Sequence, residues 1–498
     1  MNSGDTFLSR RKFSKSKLVL LIVSLCACAA MVAAIISNHL ALACVLALAP
    51  ALIMIFLLSF DNKVLAFAIL FVVNFFVPVM EHYVHNVPMG IMMDILIAYN
   101  FLVIFSGALV KDFSFKNVSK DVIAVIGIWL CYCIFEVINP HTRSITAWFS
   151  ALRSMALYSF SLVIIIQMIV EDYEQMMMIV KIWSVLVVLA VVKAIYQKYV
   201  GFTKGDWYFL NEMDGKRTHF IYSGTRYFSI FSDAANFGGS MGLASVVFAI
   251  IGLHTGNIRA RIWWWTVAAL AIYGVLVSGT RSALVVPVAG IMLYLAVVRD
   301  FKKMIPVCIV LGVAVFLLAF TNLGQGNATI RRARTVVTYN EDQSYLIRKD
   351  NQKKLREIMK TLPIGNSLGM SAGRAQRYGD FSPLTYIPTD SWFVQLWVET
   401  GIVGLLLYFA MMGYIFVRCW NIVFFKLKHP KVKGVSAGLF AGVAGLFVMS
   451  SNNEVFTQFP NAVLVYTCIS FVLLSPMFEE QLDAKEKEKK ENGIVHNS

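Results

Sequence analysis

The chain has 498 residues, of which 58% are hydrophobic and 15% charged, with a mean hydropathy of +0.68. A soluble domain of this length needs a more polar surface, so the composition describes a polytopic membrane protein. The formal net charge is +15, but no basic patch is interleaved with aromatics, so the charge is assigned to membrane loops and nucleic acid is excluded as a partner.

Apolar length predicts an all-α bundle of about 14 spans (12–14), roughly at 18–37, 41–60, 63–80, 90–110, 122–138, 146–170, 176–197, 234–254, 262–279, 282–298, 304–321, 401–420, 435–452 and 461–478. A basic N-terminus, 1–17, carries Arg10, Arg11, Lys12, Lys15 and Lys17 and runs directly into the first span, without an evident cleavable signal peptide. The membrane bundle then occupies 18–321 with a loop at 198–233, a large loop fills 322–400, C-terminal helices follow at 401–478, and a charged tail ends the chain at 479–498. Basic residues concentrate in Lys111–Lys120, His254–Arg261, Arg299–Lys303 and Arg418–Lys433, which places these connections and both termini in the cytoplasm and the two long loops outside. The 8 cysteines all sit in or beside apolar runs and read as small packing residues, not as disulfides or metal ligands.

The large loop is expected to be folded. Ser344 to Lys360 reads as an amphipathic helix with Leu346, Ile347, Leu355, Ile358 and Met359 near one face and Ser344 able to cap it. Leu362-Pro363-Ile364-Gly365-Asn366-Ser367-Leu368-Gly369 follows as a forced turn. Tyr386 to Leu407 closes the loop and opens a membrane helix, with Asp390, Ser391, Trp392 and Trp397 at the interface.

Four cations and one acid stand out. Arg281 ends Ser278-Gly279-Thr280-Arg281 between two apolar spans, where a guanidinium must find a cavity or a partner; its planar fork suits phosphate oxygens, and Ser278, Thr280 and Ser282 add hydroxyls. Arg226 precedes Asp233 and Asn236, which are placed to cap the next span, and a second cation on a shared outer cavity would hold a diphosphate. Arg348 lies on the loop helix, where the plain alternative is a solvated face. Arg153, just inside the sixth span, is expected to pair with Glu136 or face the cavity, and Asp94 to cap or line it. Asp390 is the general-base candidate, set against an ordinary capping role. Glu399 is expected to hydrogen-bond backbone at a bend. The external histidines His82, His85, His141 and His219 are scattered, and no metal-binding or Walker motif is present, so neither a metal nor another cofactor is expected.

Taken in order, the segments at 226–238, 278–283, Arg348 with the following Leu-Pro-Ile-Gly turn, and 390–406 resemble the O-antigen ligase / O-antigen polymerase (Wzy-type) superfamily of bacterial membrane glycosyltransferases. The resemblance implies an all-helical membrane bundle in the bacterial cytoplasmic membrane with a large external loop. It also implies transfer of a glycan from undecaprenyl diphosphate to a sugar hydroxyl without metal or nucleotide, with inversion. Arg281 and Arg348 carry over as diphosphate-binding residues, with Arg226 as an auxiliary. Ligases of the family carry His-Asn where this chain has Asp390-Ser391. That departure turns the expectation toward a polymerase, with a chain-length regulator and a flippase as possible partners. Ligation to lipid A core or another acceptor stands second. A lipid-linked oligosaccharide flippase is a third reading, against which the polar residues gather at the outer ends of the spans.

Overall fold

In lipid a backbone must satisfy its own hydrogen bonds, so apolar stretches of this length fold as helices. The computed structural model describes residues 56–84, 89–110, 117–221, 224–298 and 343–495. In chain order the membrane helices are α1 (Lys63–Met80), α2 (Gly90–Val110), α3 (Lys120–Phe135), α4 (Ile145–Ile169) and α5 (Tyr173–Tyr199). Two short helices follow, α6 (Lys204–Glu212) and α7 (Lys216–His219), then α8 (Ala234–His254), α9 (Ile258–Ser278) and α10 (Val285–Val298). The loop helices α11 (Gln343–Met359) and α12 (Ala372–Arg377) precede α13 (Trp392–Asn421), α14 (Pro430–Met449) and α15 (Asn461–Val495). Among the described residues 10 helices are long and apolar enough to cross a membrane. The expected spans 18–37 and 304–321, and most of 41–60, lie outside the described residues.

Helix α8 is the centre of the bundle and packs against α9, α10 and α14. Its sequence starts Ala-Ala-Asn-Phe-Gly-Gly-Ser, and small residues let neighbouring backbones come close where lipid supplies no hydrophobic drive between helices. The same device seats α14 on α10: a Cβ on Gly445 would lie 2.3 Å from the Val286 carbonyl oxygen. By contrast α2 and α3 are peripheral and turn Ile95, Phe105, Ile128 and Phe135 outward, as helices facing lipid do. Cys133, Cys419 and Cys468 are buried and Cys131 is exposed, each as a free thiol.

Helix α13 consists of two helical stretches joined at a kink: residues 392–400 are already helical, and Gly401, with a non-helical φ of 66° and ψ of −171°, separates them from the membrane stretch that follows. Helix α15 continues through the charged tail to Val495. One expectation is corrected. The loop helix begins at Gln343, and Leu355 and Met359 are buried against Leu384 and Val398, whereas Leu346 and Ile347 are exposed.

Polar contacts stitch each end of the bundle. At one end Asp121 meets Tyr414 and Arg418, Lys428 meets Glu479, and Gln481 meets the Glu171 carbonyl. At the other, Arg143 pairs with Asp380 at 2.9 Å and also donates to Asn366 and Ser382, which ties the 139–144 turn to the large loop. The Leu362–Gly369 turn is pinned on the α13 bend, with the Asn366 amide donating to the Val398 carbonyl and the Ile402 amide to the Pro363 carbonyl. Glu399 is fully buried below it and accepts from the Gly369 amide, the Ser371 hydroxyl and Gln395, which is the backbone-holding role expected of it.

Candidate functional site

Four separate pieces of chain meet at that second end. The first is the 200–233 loop, folded as α6, α7 and a two-residue antiparallel pair, Phe220–Ile221 with Gly224–Thr225. Asp233 accepts from the Ala235 and Asn236 amides and so caps α8, as its sequence suggests. Asn236 does not cap: its side chain donates to Ser232 and to the Phe459 carbonyl and accepts from Asn461. His219 is committed to structure. The Ala234 amide donates to its Nε2, so the ring proton is on Nδ1, which donates to the Gly215 carbonyl. Burial holds its pKa below the ordinary value, and a neutral ring fits both bonds.

The second piece is Ser278-Gly279-Thr280-Arg281. Gly279 takes a φ of 58°, the left-handed turn that ends α9 and swings the next two residues off the helix axis. Ser278 is fully buried and its hydroxyl donates back to the Val275 carbonyl, so it shapes the turn and does not reach a ligand. Thr280 accepts from Arg226 Nη2 at 2.8 Å and donates to the Ala234 carbonyl. With a second bond from Nη1 to the Thr218 carbonyl, the Arg226 fork is aimed by two neighbours. Arg281 opens the short helical turn Arg281–Leu284.

Arg348 and Asp390 come from the third piece, the large loop. A cavity of about 410 Å³ is lined by Arg226, Asp233, Arg348, Asp390 and Glu454, among others, a size that takes a diphosphate with an adjoining sugar. Burial together with the charges of Arg348 and Arg281 holds the Arg226 pKa below its ordinary value, against the opposing pull of Asp233. The Arg226 and Arg348 guanidinium groups that line the cavity repel each other and Arg281, and an anion between them would relieve that repulsion. Asp390 is not the helix cap: Ser391 occupies that position, without closing a side-chain bond to the helix, and Asp390 stands before it at a φ of 54°.

Sequence reasoning passed over the fourth piece, the turn 450–460. It is fastened at three points. The Ser450 carbonyl accepts from the Trp392 amide and the Ser391 hydroxyl, Asn453 donates to Ser282, and the Phe459 carbonyl accepts from Asn236. It delivers Glu454 to the cavity, where the Thr389 hydroxyl donates to the carboxylate. Burial pushes the Glu454 pKa up to about 7, with Asp390 and Glu399 adding to the rise and Thr389 and Arg374 opposing it. The signal was the polar run Ser450-Ser451-Asn452-Asn453-Glu454 between two apolar spans on the side assigned to Asp390.

Arg153 is elsewhere. It occupies a wider helical turn in α4, Arg153–Leu157, and pairs with Asp94, which also accepts from Tyr158. The expected Glu136 pairing is replaced because Glu136 accepts from Asn139 instead. Among the described residues no three His, Cys, Asp or Glu side chains come together as a metal site.

Residues 266–409 match a family model described as O-Antigen ligase (Wzy_C). The match spans the positions of Arg281, Arg348, Asp390 and Glu399 and leaves Arg226 and Glu454 outside it. No curated protein matches the chain.

Proposed function

We propose that this chain, whose residues 266–409 match a family model described as O-Antigen ligase, is a membrane glycosyltransferase acting on a polyprenyl diphosphate-linked glycan. The observation that carries this reading is a cavity lined by Arg226 and Arg348 together with carboxylates, with Arg281 near enough to act on Arg226 by its charge. Guanidinium forks match diphosphate oxygens, and their charge offsets what develops on the departing diphosphate. The acceptor sugar oxygen attacks the anomeric carbon, the bond from that carbon to the diphosphate breaks, and a cavity carboxylate takes the hydroxyl proton. Attack from the face opposite the leaving group inverts the centre. The site sits at the end of the bundle assigned to the outer surface by the basic loops at the other end. On this orientation the reaction acts on undecaprenyl diphosphate-linked units at the outer face, and a chain-length regulator and a flippase would be its working partners.

Polymerisation of lipid-linked repeat units is the leading activity, supported by Asp390-Ser391 standing where ligases carry His-Asn. Ligation to a terminal acceptor is the second reading, favoured by the description of the matching family model. Product analysis of a deletion strain separates them. Lost polymer with accumulated single lipid-linked repeats means polymerase, and long polymer left on the lipid diphosphate means ligase. A strain with unaltered glycans refutes both.

A further inference from the structure

Resting on the transfer reading above, we propose that Glu454, not Asp390, is the group that takes the proton of the attacking acceptor hydroxyl. Both carboxylates line the same cavity as Arg226 and Arg348, so position alone does not choose between them. Support does. A general base has to be held firmly with one oxygen left for the substrate. Thr389 donates to Glu454 Oε1, which leaves Oε2 for the cavity that the residue lines. The turn carrying Glu454 is fastened to the α13 start, to Ser282 beside Arg281 and to Asn236 of α8. It therefore keeps the base in register with the guanidinium groups that receive the diphosphate. No comparable hydrogen bond holds the Asp390 carboxylate among the described residues, and its backbone sits in the left-handed region at a φ of 54°.

The charges facing Glu454 come from every element around it: Arg374 of α12, Asp390 of the 388–391 segment and Glu399 of α13, with Arg348 of α11, Arg226, Asp233 and His219 on the other cavity walls. Burial and the two neighbouring acids bring the group to about 7, where a base is ionised often enough to act and basic enough to be useful. In the step itself the hydroxyl proton moves to Glu454 and the hydroxyl oxygen bonds the anomeric carbon. The carbon–oxygen bond to the diphosphate breaks with its electron pair staying on the diphosphate. The protonated acid returns its proton to water.

The test uses the full chain in lipid nanodiscs, supplied with the lipid-linked oligosaccharide extracted from cells in which its gene is deleted. Wild-type transfer is expected to rise with pH with a midpoint near 7. Glu454→Gln, nearly isosteric, is expected to lose on the order of 10²–10⁴-fold in rate and the rising limb with it, while Glu454→Asp keeps part of the rate and a displaced limb. A Glu454→Gln variant that keeps the wild-type rate, or loses rate but keeps the rising limb, overturns the assignment; if Arg348→Ala is inactive in the same assay, the transfer reading survives that result. Absence of any transfer by the wild-type protein from this donor overturns the transfer reading and the assignment together.

Discussion

Gly401 joins the membrane helix to the folded loop, and replacing it by alanine tests whether that joint holds the site. Its φ of 66° and ψ of −171° lie in a region open essentially to glycine. A Cβ there would stand 2.1 Å from the Pro363 carbonyl oxygen and 2.5 Å from the Gly365 amide nitrogen. Both are backbone atoms, and the Pro363 carbonyl is held by the Ile402 amide at 3.1 Å, so neither yields cheaply. The conformation alone costs about 1–3 kcal/mol in a residue other than glycine. Relieving the clash breaks the Ile402–Pro363 and Asn366–Val398 bonds, at about 1 kcal/mol each. Gly401→Ala is thus expected to lose roughly 3–5 kcal/mol of local stability and to release the 362–369 turn, which lies between the α11 helix bearing Arg348 and the α13 bend. Proteolysis of the detergent-purified protein should open in the 343–391 region, and transfer activity should fall. Gly413, in the same helix with nothing within 4 Å of its would-be Cβ, is the control; Gly413→Ala should leave both unchanged. A Gly401→Ala protein with parental protease resistance and unfolding midpoint would refute the reasoning.

Arg226→Ala, Arg281→Ala and Arg348→Ala should each reduce transfer by about 10²–10³-fold, as loss of one preorganised donor does elsewhere, measured as polymer formed from extracted lipid-linked oligosaccharide; full activity removes that arginine from the diphosphate site. Arg348→Lys should recover only part, since an ammonium keeps the charge and loses the fork. Arg143→Ala leaves Asp380, 8% exposed, without its cation, and should cost about 1–3 kcal/mol in thermal unfolding; an unchanged midpoint would show that the 139–144 turn does not anchor the loop. A cysteine at Lys353, in a background with the native cysteines replaced, should react with an impermeant label on intact cells, and labelling only after lysis would invert the proposed orientation.

The helices were legible because their cause is local. An apolar run long enough to span must bond its own backbone, whatever its neighbours do, and every expected span that falls within the described residues is helical. The capping role of Asp233 was legible for a similar reason, since its partners lie on its own helix start. The partner of Arg153, Asp94, was not legible because the pair joins two helices far apart in the chain and no pattern in either helix marks the other residue.

By itself the sequence determined the membrane class and the helical elements, and it singled out the arginines from which the proposed site is drawn. Only the tertiary structure decided which side chains are spent internally and which reach the cavity. Ser278 turned inward, Thr280 became the support of Arg226, and Asp390 proved not to be a cap. Above all it brought in Glu454 through a turn fastened to three distant segments. Those contacts join residues far apart in the chain, and the pKa of a carboxyl depends on who surrounds it, which is a property of packing and not of neighbours in sequence.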